Sequence, residues 1–167
     1  MAEKDTLFSS KVKYGGIFNF AGFYGFCYEW LNDETGLNLS EEAYSEKLKG
    51  DSKDIDISWN GTRKVTDYFK FQIQVKFRIL GMKQVEVQQN GAKIKTNDGS
   101  VEVKVKGTLI KDHAGRFEGN GFEKTLRGFY EKWIIKSRVD EMEDKLIGDC
   151  DEFLQQAKAW LDLEGKH

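Results

Sequence analysis

The chain has 167 residues, a formal net charge of −2 and 39% hydrophobic residues, values typical of one globular domain. Its two cysteines exclude a disulfide framework, and no apolar run approaches the ~20 residues that cross a bilayer. Because the first ten residues lack the apolar core of a signal peptide, we expect a soluble cytoplasmic protein. We expect a single α+β domain over residues 1–167, with a flexible N-terminal tail at 1–9.

The N-terminal part predicts one strand and two helices. Lys11–Ile17 predicts a short strand, and Phe18–Leu31 follows it with seven aromatic residues in its first thirteen positions. Those aromatics fit a helical period and an alternating one. We favour a helix, because residues 29–36 are typical of the C-terminal end of a helix, with Gly36 as the residue that ends it. Ser40 then resembles an N-cap, and Ser40–Gly50 predicts a second, short helix.

Tyr68–Ile79 has the clearest pattern in the chain. Its odd-numbered residues are all apolar, and five of its six even-numbered residues are polar. Because successive side chains of a strand point to opposite faces, this pattern predicts one long strand with a dry face and a wet face. Such a strand is typical of an antiparallel sheet that is covered on one side only.

Shorter strands surround this long one. Ile55–Trp59 and Val101–Leu109 alternate in the same way, and Val85–Val87 and Ile94 lie in short strands between them. Glycines mark the predicted turns and breaks: Asn60–Gly61, Gly81, Asn90–Gly91 and Asp98–Gly99. The prediction is an antiparallel sheet of five to six strands.

The C-terminal part predicts a loop and two helices. His113–Gly121 contains three glycines and predicts the loop. In 122–136 and 139–161, apolar residues recur three and four positions apart, which is typical of amphipathic helices. We expect the apolar stripe of 139–161 to cover the odd-numbered face of the long strand, which gives a two-layer α+β fold.

Charge is unevenly distributed along the chain. Residues 55–111 contain 11 Lys and Arg against 5 Asp and Glu, whereas residues 139–167 contain 3 against 9. The strand region is therefore basic and the C-terminal segment is acidic. This contrast indicates either a charged partner or attraction between two parts of one fold.

The order of elements resembles the helix-grip fold of START-like (SRPBCC) proteins, in which a curved antiparallel sheet wraps a long C-terminal helix. The resemblance covers residues 10–163 in element order alone, so it transfers no binding residue, and the helix at 122–136 departs from it. It implies an apolar ligand between sheet and helix. The runs DYFKFQIQVKFRILGMKQVEV and FEKTLRGFYEKWIIKSRVDEMEDKL also resemble uncharacterised archaeal proteins, a resemblance that implies no activity.

Our leading hypothesis is a non-enzymatic protein that holds an apolar small molecule or lipid between the sheet and the C-terminal helix. The excess of aromatic residues and the helix-grip order motivate it. The expected lining consists of Phe20, Tyr24, Trp59, Phe71, Phe77, Trp133 and Trp160. The alternative is a structural or protein-interaction module that self-associates through the helix at 18–31 or at 122–136.

The second alternative is nucleic-acid binding through the wet face of the sheet, and we rank it last of the three. Its candidate cations are Lys70, Lys76, Arg78, Lys104 and Lys106. RNA-binding sheets usually add exposed aromatic residues that stack on bases. In the long strand only Tyr68 points to the same side as these cations.

We expect no catalytic, metal or cofactor site. The two histidines are His113, in a glycine-rich loop, and His167, so a nucleophilic set would need His113 to meet Cys27, Cys150 or a serine. The run 115–121 matches neither GxxxxGK[ST] nor GxGxxG, the two glycine-rich patterns that bind phosphate groups. The carboxylates of 140–152 are typical of the solvated side of a helix.

Overall fold

A single antiparallel sheet carries the two long described helices of this chain on one of its faces. The structure is a computed structural model that describes residues 3–111, 121, 124–126 and 136–166. Five strands lie in the order β1-β5-β4-β3-β2. The elements are β1 Glu3–Phe18, α1 Phe20–Thr35, β2 Asn38–Lys49, β3 Ser52–Lys64, β4 Phe69–Gln89, β5 Ala92–Lys111 and α2 Lys136–Glu164. The predicted α+β class with an antiparallel sheet and a long C-terminal helix is confirmed.

The alternating pattern of β4 has the predicted structural effect. Its odd-numbered side chains from Phe69 to Ile79 are at most 3% exposed, whereas Lys76 and Arg78 are exposed. β4 pairs with β3 on one side and with β5 on the other, so it lies at the centre of the sheet. The opposite face is exposed at Lys76, Arg78, Lys104 and Lys106, whereas Thr108 and Ile110 at one end of it are buried. We call this second face of the sheet the uncovered face, after its exposed part.

The long C-terminal helix covers the dry face, as the spacing of its apolar residues predicts. Its buried side chains recur three and four positions apart: Met142, Leu146, Cys150, Phe153, Leu154, Ala157 and Leu161. The helix contacts β1, β5 and β4, and it also contacts α1. Burial of this stripe is the main contact between the two layers of the fold.

α2 approaches the sheet closely near its middle. A Cβ atom built on Gly107 of β5 would lie 2.7 Å from Cys150 Sγ and 3.5 Å from Leu146 Cγ. No real Cβ atom tolerates the shorter of these distances. The absence of a side chain at Gly107 therefore lets α2 lie directly on β5.

The aromatic-rich segment is a helix, as predicted, and Gly36 ends it in the left-handed region at φ 69°. Asn19 caps its start, because the Asn19 side-chain oxygen accepts a hydrogen bond from the backbone N–H of Gly22 at 3.1 Å. The Asn97 side chain of β5 accepts another from the N–H of Phe20 at 3.0 Å. The start of α1 is thereby fixed to the sheet.

The predicted second helix at Ser40–Gly50 is wrong. Residues 38–49 form β2, an edge strand that pairs with β3 along its whole length. Without β2, the outer N–H and C=O groups of β3 would lack backbone partners, and this non-local pairing outweighs the local cap signal at Ser40. Only one N-terminal helix, α1, is present in the described part of the chain.

The predicted turn at Asn60–Gly61 is also wrong, because β3 continues to Lys64. The glycine serves packing instead, since a Cβ atom at Gly61 would lie 2.9 Å from Leu39 Cδ2 on β2. The chain reverses at residues 65–68, where the Thr66 hydroxyl accepts hydrogen bonds from the N–H groups of Tyr68 and Phe69.

Two further glycine signals mark irregularities within strands. At Gly81, with φ 61°, β4 does not end but contains a β-bulge between Leu80 and Lys83. Asp98–Gly99 lies opposite that bulge inside β5, where we predicted a turn. The turn at Asn90–Gly91 is confirmed, with φ 54° and 79° at its two residues.

The N-terminal strand is longer than predicted. The strand expected at Lys11–Ile17 extends back to Glu3 and pairs with β5, so residues 3–9 lie in the sheet rather than in a flexible tail. Most of the chain between β5 and α2 lies outside the described residues. This part includes His113, most of its predicted glycine-rich loop, and Trp133. Of the helix predicted at 122–136, residues 124–126 are helical.

We expect Gly107→Ala to lower the free energy of unfolding by about 1–3 kcal/mol, because the new methyl group would overlap Cys150 Sγ. In a Cys150→Ala background the same substitution should be less harmful, with a coupling energy of at least about 0.5 kcal/mol. Urea unfolding of the four proteins measures this coupling. Strictly additive losses would contradict the close contact between β5 and α2.

Candidate functional site

Most of the predicted aromatic lining forms one connected cluster. Ring contacts run from Phe20 to Tyr24 (6.2 Å between centroids), Tyr24 to Trp59 (5.2 Å) and Trp59 to Phe77 (4.7 Å). Phe23, which we did not predict, links Phe77 to Trp160 at 6.0 and 5.5 Å. We call these six rings the aromatic cluster: Phe20, Phe23, Tyr24, Trp59, Phe77 and Trp160.

The aromatic cluster joins α1, α2 and the sheet through contacts between its own members. Trp59 and Phe77 are at most 3% exposed, and edge-on ring contacts of this length are favourable. Phe71 is buried elsewhere in the core, and Trp133 lies outside the described residues. Binding of an apolar ligand by these residues stays a prediction.

One carboxylate binds the polar ends of two rings in the cluster. Glu41 Oε1 accepts hydrogen bonds from the Tyr24 hydroxyl at 2.6 Å and from Trp59 Nε1 at 3.1 Å. Burial, followed by the hydrogen bond to Glu41, raises the pKa of Tyr24 to about 12. Sequence analysis missed Glu41, because the wrong helix prediction at 40–50 placed it far from Trp59.

The uncovered face of the sheet contains all five predicted nucleic-acid cations. Antiparallel partners lie on the same face, and the register places Lys76 opposite Lys104, which in turn lies opposite Lys11. We call these three residues the lysine row. Sequence analysis missed Lys11, since only the pairing of β1 with β5 shows its position.

Other cations lie on the same face around the lysine row. The basic face, as we use the term, consists of Lys4, Lys11, Lys13, Lys64, Lys70, Lys76, Arg78, Lys104 and Lys106. Carboxylates also occur on this face: Asp56 and Glu102 lie on either side of Arg78, and Glu102 also lies opposite Lys13. Asp98 lies on the same face four residues before Glu102 on β5, opposite Lys83. Glu102 makes a long contact of 3.8 Å with Lys11.

The central cations of the basic face form no ion pair with the described carboxylates. Within the described part of the chain, Lys76, Lys104 and Lys106 form no ion pair, and neither do Lys70 and Arg78. Uncharged hydrogen-bonding side chains fill the positions between them: Ser9, Ser58, Asn60, Thr62, Gln72 and Gln74. A surface of this composition can bind several phosphate groups at once.

The basic face lacks a platform for stacking bases. Phe69, Phe71 and Phe77 are buried on the dry face. Tyr68 lies just before β4, where its ring meets that of Phe69 edge-on at 5.1 Å between centroids. Contacts with a nucleic acid would therefore involve its backbone rather than its bases.

The opposite side of the molecule is acidic. The solvent side of α2 exposes six carboxylates: Asp140, Glu141, Asp144, Asp151, Glu152 and Asp162. The sheet separates these carboxylates from the basic face. The small net charge of the chain thus hides two faces of opposite charge.

The described helices include none that is long and apolar enough to cross a membrane. Comparison of the chain with known protein families, with curated proteins and with solved structures finds no match.

We expect the fold to lose stability at high pH through Tyr24. Because the folded protein raises the pKa of Tyr24 from 10.0 to about 12, this stabilisation is complete below pH 10 and is lost as the pH rises through about 12. Tyr24→Phe should be less stable than the unsubstituted protein at neutral pH, by about 1 kcal/mol, and should lose less stability above pH 10.

Free energies of unfolding at about pH 9 and about pH 11.5 test this expectation for both proteins. Tyr44→Phe is the comparison on the exposed edge strand, because burial, followed by the hydrogen bond to Glu46, raises the pKa of Tyr44 to about 12, with only smaller contributions from Glu41 and Tyr24. An identical pH dependence in Tyr24→Phe and the unsubstituted protein would contradict the role of Glu41.

Proposed function

We propose that the protein binds the phosphate backbone of a double-stranded nucleic acid through the basic face of its sheet. The observation that carries this proposal is the lysine row. Like charges directly opposite one another on neighbouring strands destabilise a sheet, and here three lysines occur in register on the sheet's uncovered side. A bound polyanion would turn this unfavourable arrangement into a favourable one.

The size of the basic face suits a nucleic-acid backbone. Neighbouring strands lie about 4.8 Å apart, so the lysine row is roughly 10 Å wide. Lys70 to Arg78 on β4 covers roughly 26 Å along the strand at about 3.3 Å per residue. A duplex has one phosphate per about 3.4 Å of axis on each strand, so several phosphates would face this area simultaneously.

The chemistry of the face supports backbone binding without base readout. Lysines and uncharged polar side chains such as Gln72 and Asn60 are the groups that contact phosphate and sugar oxygens. Because no exposed aromatic ring of β4 lies on this face, single strands would gain little from stacking. We therefore expect little sequence preference and stronger binding of duplex than of single-stranded probes.

The acidic side of α2 supports a single binding orientation. Its exposed carboxylates, such as Asp144 and Asp151, would repel phosphates, whereas the basic face attracts them. The field of the molecule would therefore orient it before contact.

The apolar-ligand and self-association hypotheses lack a comparable observation. A ligand between the sheet and its covering helices would have to separate rings such as Phe23 of α1 and Phe77 of β4, whose centroids lie 6.0 Å apart. It would also enter a layer in which α2 approaches Gly107 closely. Both hypotheses remain predictions from the sequence.

We expect the double substitution Lys76→Gln with Lys104→Gln to weaken binding of a mixed-sequence DNA duplex of about 20 base pairs at least tenfold near 0.1 M salt. The slope of log K against log salt is negative, and each lost phosphate contact should make it shallower by about 0.9, so the double variant should reduce its steepness by about 1.8. Fluorescence anisotropy titrations between about 50 and 200 mM salt measure both quantities.

The matched control is Lys145→Gln with Lys166→Gln, which makes the same change in net charge on α2 and at its C-terminal end, outside the basic face. It should bind the duplex like the unsubstituted protein. Equal losses in the two double variants, or no salt dependence in the unsubstituted protein, would contradict binding through the basic face.

A further inference from the structure

The outer edge of β1 is open. β1 is the last strand of the sheet on its side, and no described strand pairs with its free edge. An open edge exposes a row of backbone N–H and C=O groups to which another extended chain can pair.

The register shows which groups point outward. The two-residue turn at Asn90–Gly91 makes Gln89 and Ala92 a hydrogen-bonded pair, and bonded pairs alternate along an antiparallel ladder. Even-numbered residues of β5 therefore bond to β4. Their partners on β1, which include Lys11 and Lys13, direct their backbone groups out of the sheet.

A side chain of α2 already binds one of these outward groups. Lys158 Nζ donates a hydrogen bond to the backbone oxygen of Lys13 at 2.9 Å. The same ammonium group lies 3.2 Å from Asp162 and 5.5 Å from the centre of the Tyr14 ring. This contact provides independent support for an outward Lys13 carbonyl that needs a donor.

A groove runs beside this edge on the helix side of the sheet. It has a volume of about 350 Å³ and lies between Ser10 and Val12 of β1 and Leu154 and Ala159 of α2. Asp151 and Asp162 also line it. A strand added to β1 would direct every second side chain into this groove and the others towards the basic face.

We propose that β1 binds an extended peptide as a sixth, antiparallel strand, with small apolar side chains in the groove and acidic side chains beside Lys11 and Lys13. The peptide backbone replaces the Lys158 ammonium as donor to Lys13, and Lys158 keeps its ion pair with Asp162. Charge selects the partner, because the side chains of Lys11 and Lys13 are exposed on the uncovered face. This proposal does not rest on the proposed nucleic-acid function, although both surfaces include the side chains of Lys11 and Lys13.

Synthetic eight-residue peptides test the proposal by fluorescence anisotropy. A blocked Glu-Val repeat should bind, whereas a Lys-Val repeat and a peptide with four Glu followed by four Val should bind at least tenfold more weakly. In an antiparallel pair, the residues beside Lys11 and Lys13 direct their N–H groups at β1. Methylation of the Glu backbone nitrogens should therefore abolish binding, and methylation of the Val nitrogens should preserve it.

Two variants of the protein complete the test. Ala159→Phe fills the groove from an exposed position of α2 and should weaken Glu-Val binding at least tenfold without changing duplex binding. Lys11→Glu with Lys13→Glu should reverse the preference in favour of the Lys-Val repeat, a change that unfolding cannot produce. Absence of Glu-Val binding, or equal binding of the two methylated peptides, would overturn the proposal.

Light scattering of the protein alone separates a second copy of the chain from a peptide as the occupant. A monomer that binds the Glu-Val repeat supports the proposal. A dimer that Ala159→Phe dissociates, and that does not bind the repeat, would overturn it in favour of self-association.

Discussion

Burial of the odd-numbered side chains of β4 is the constraint on which the remaining structure depends. A central strand with Phe71, Val75 and Phe77 on one side needs a cover there, and α1 and α2 supply it on that face. Because the even-numbered side chains are polar, the other face needs no cover. The same alternation therefore creates the hydrophobic core and leaves Lys76, Lys104 and Lys106 together in solvent.

The sequence predicted those elements whose signals are local. The alternation of β4 and the apolar stripe of α2 each lie within one segment, and both are confirmed. β2 and the course of β3 could not be predicted in this way, because Gly61 is needed for a contact with Leu39 on another strand. The predicted cations do share one face. Lys11 belongs to that face, and Glu41 to the surroundings of the aromatic cluster, only because segments distant in sequence pair with each other.

The two proposed surfaces meet at β1. Lys11 and Lys13 belong to the basic face through their side chains and to the open edge through their backbone groups. An acidic strand paired with this edge would neutralise part of the charge that attracts a nucleic acid. The two partners would then weaken each other's binding, and by linkage the effect would be equal in both directions. Such antagonism needs no conformational change, since the two ligands share the same ammonium groups.

The position of β1 in the sheet also affects how the protein folds. The hairpin of β4 and β5 joins neighbours in sequence, whereas Val12 and Val103 pair across roughly 90 residues. Contacts between distant residues form slowly, because closing a long loop has an entropic cost. During synthesis, β1 therefore cannot pair with β5 until the roughly 90 residues that separate Val12 from Val103 have emerged from the ribosome. Until then both edges of β1 are unpaired, and its lysines and β-bulge limit association with other nascent chains.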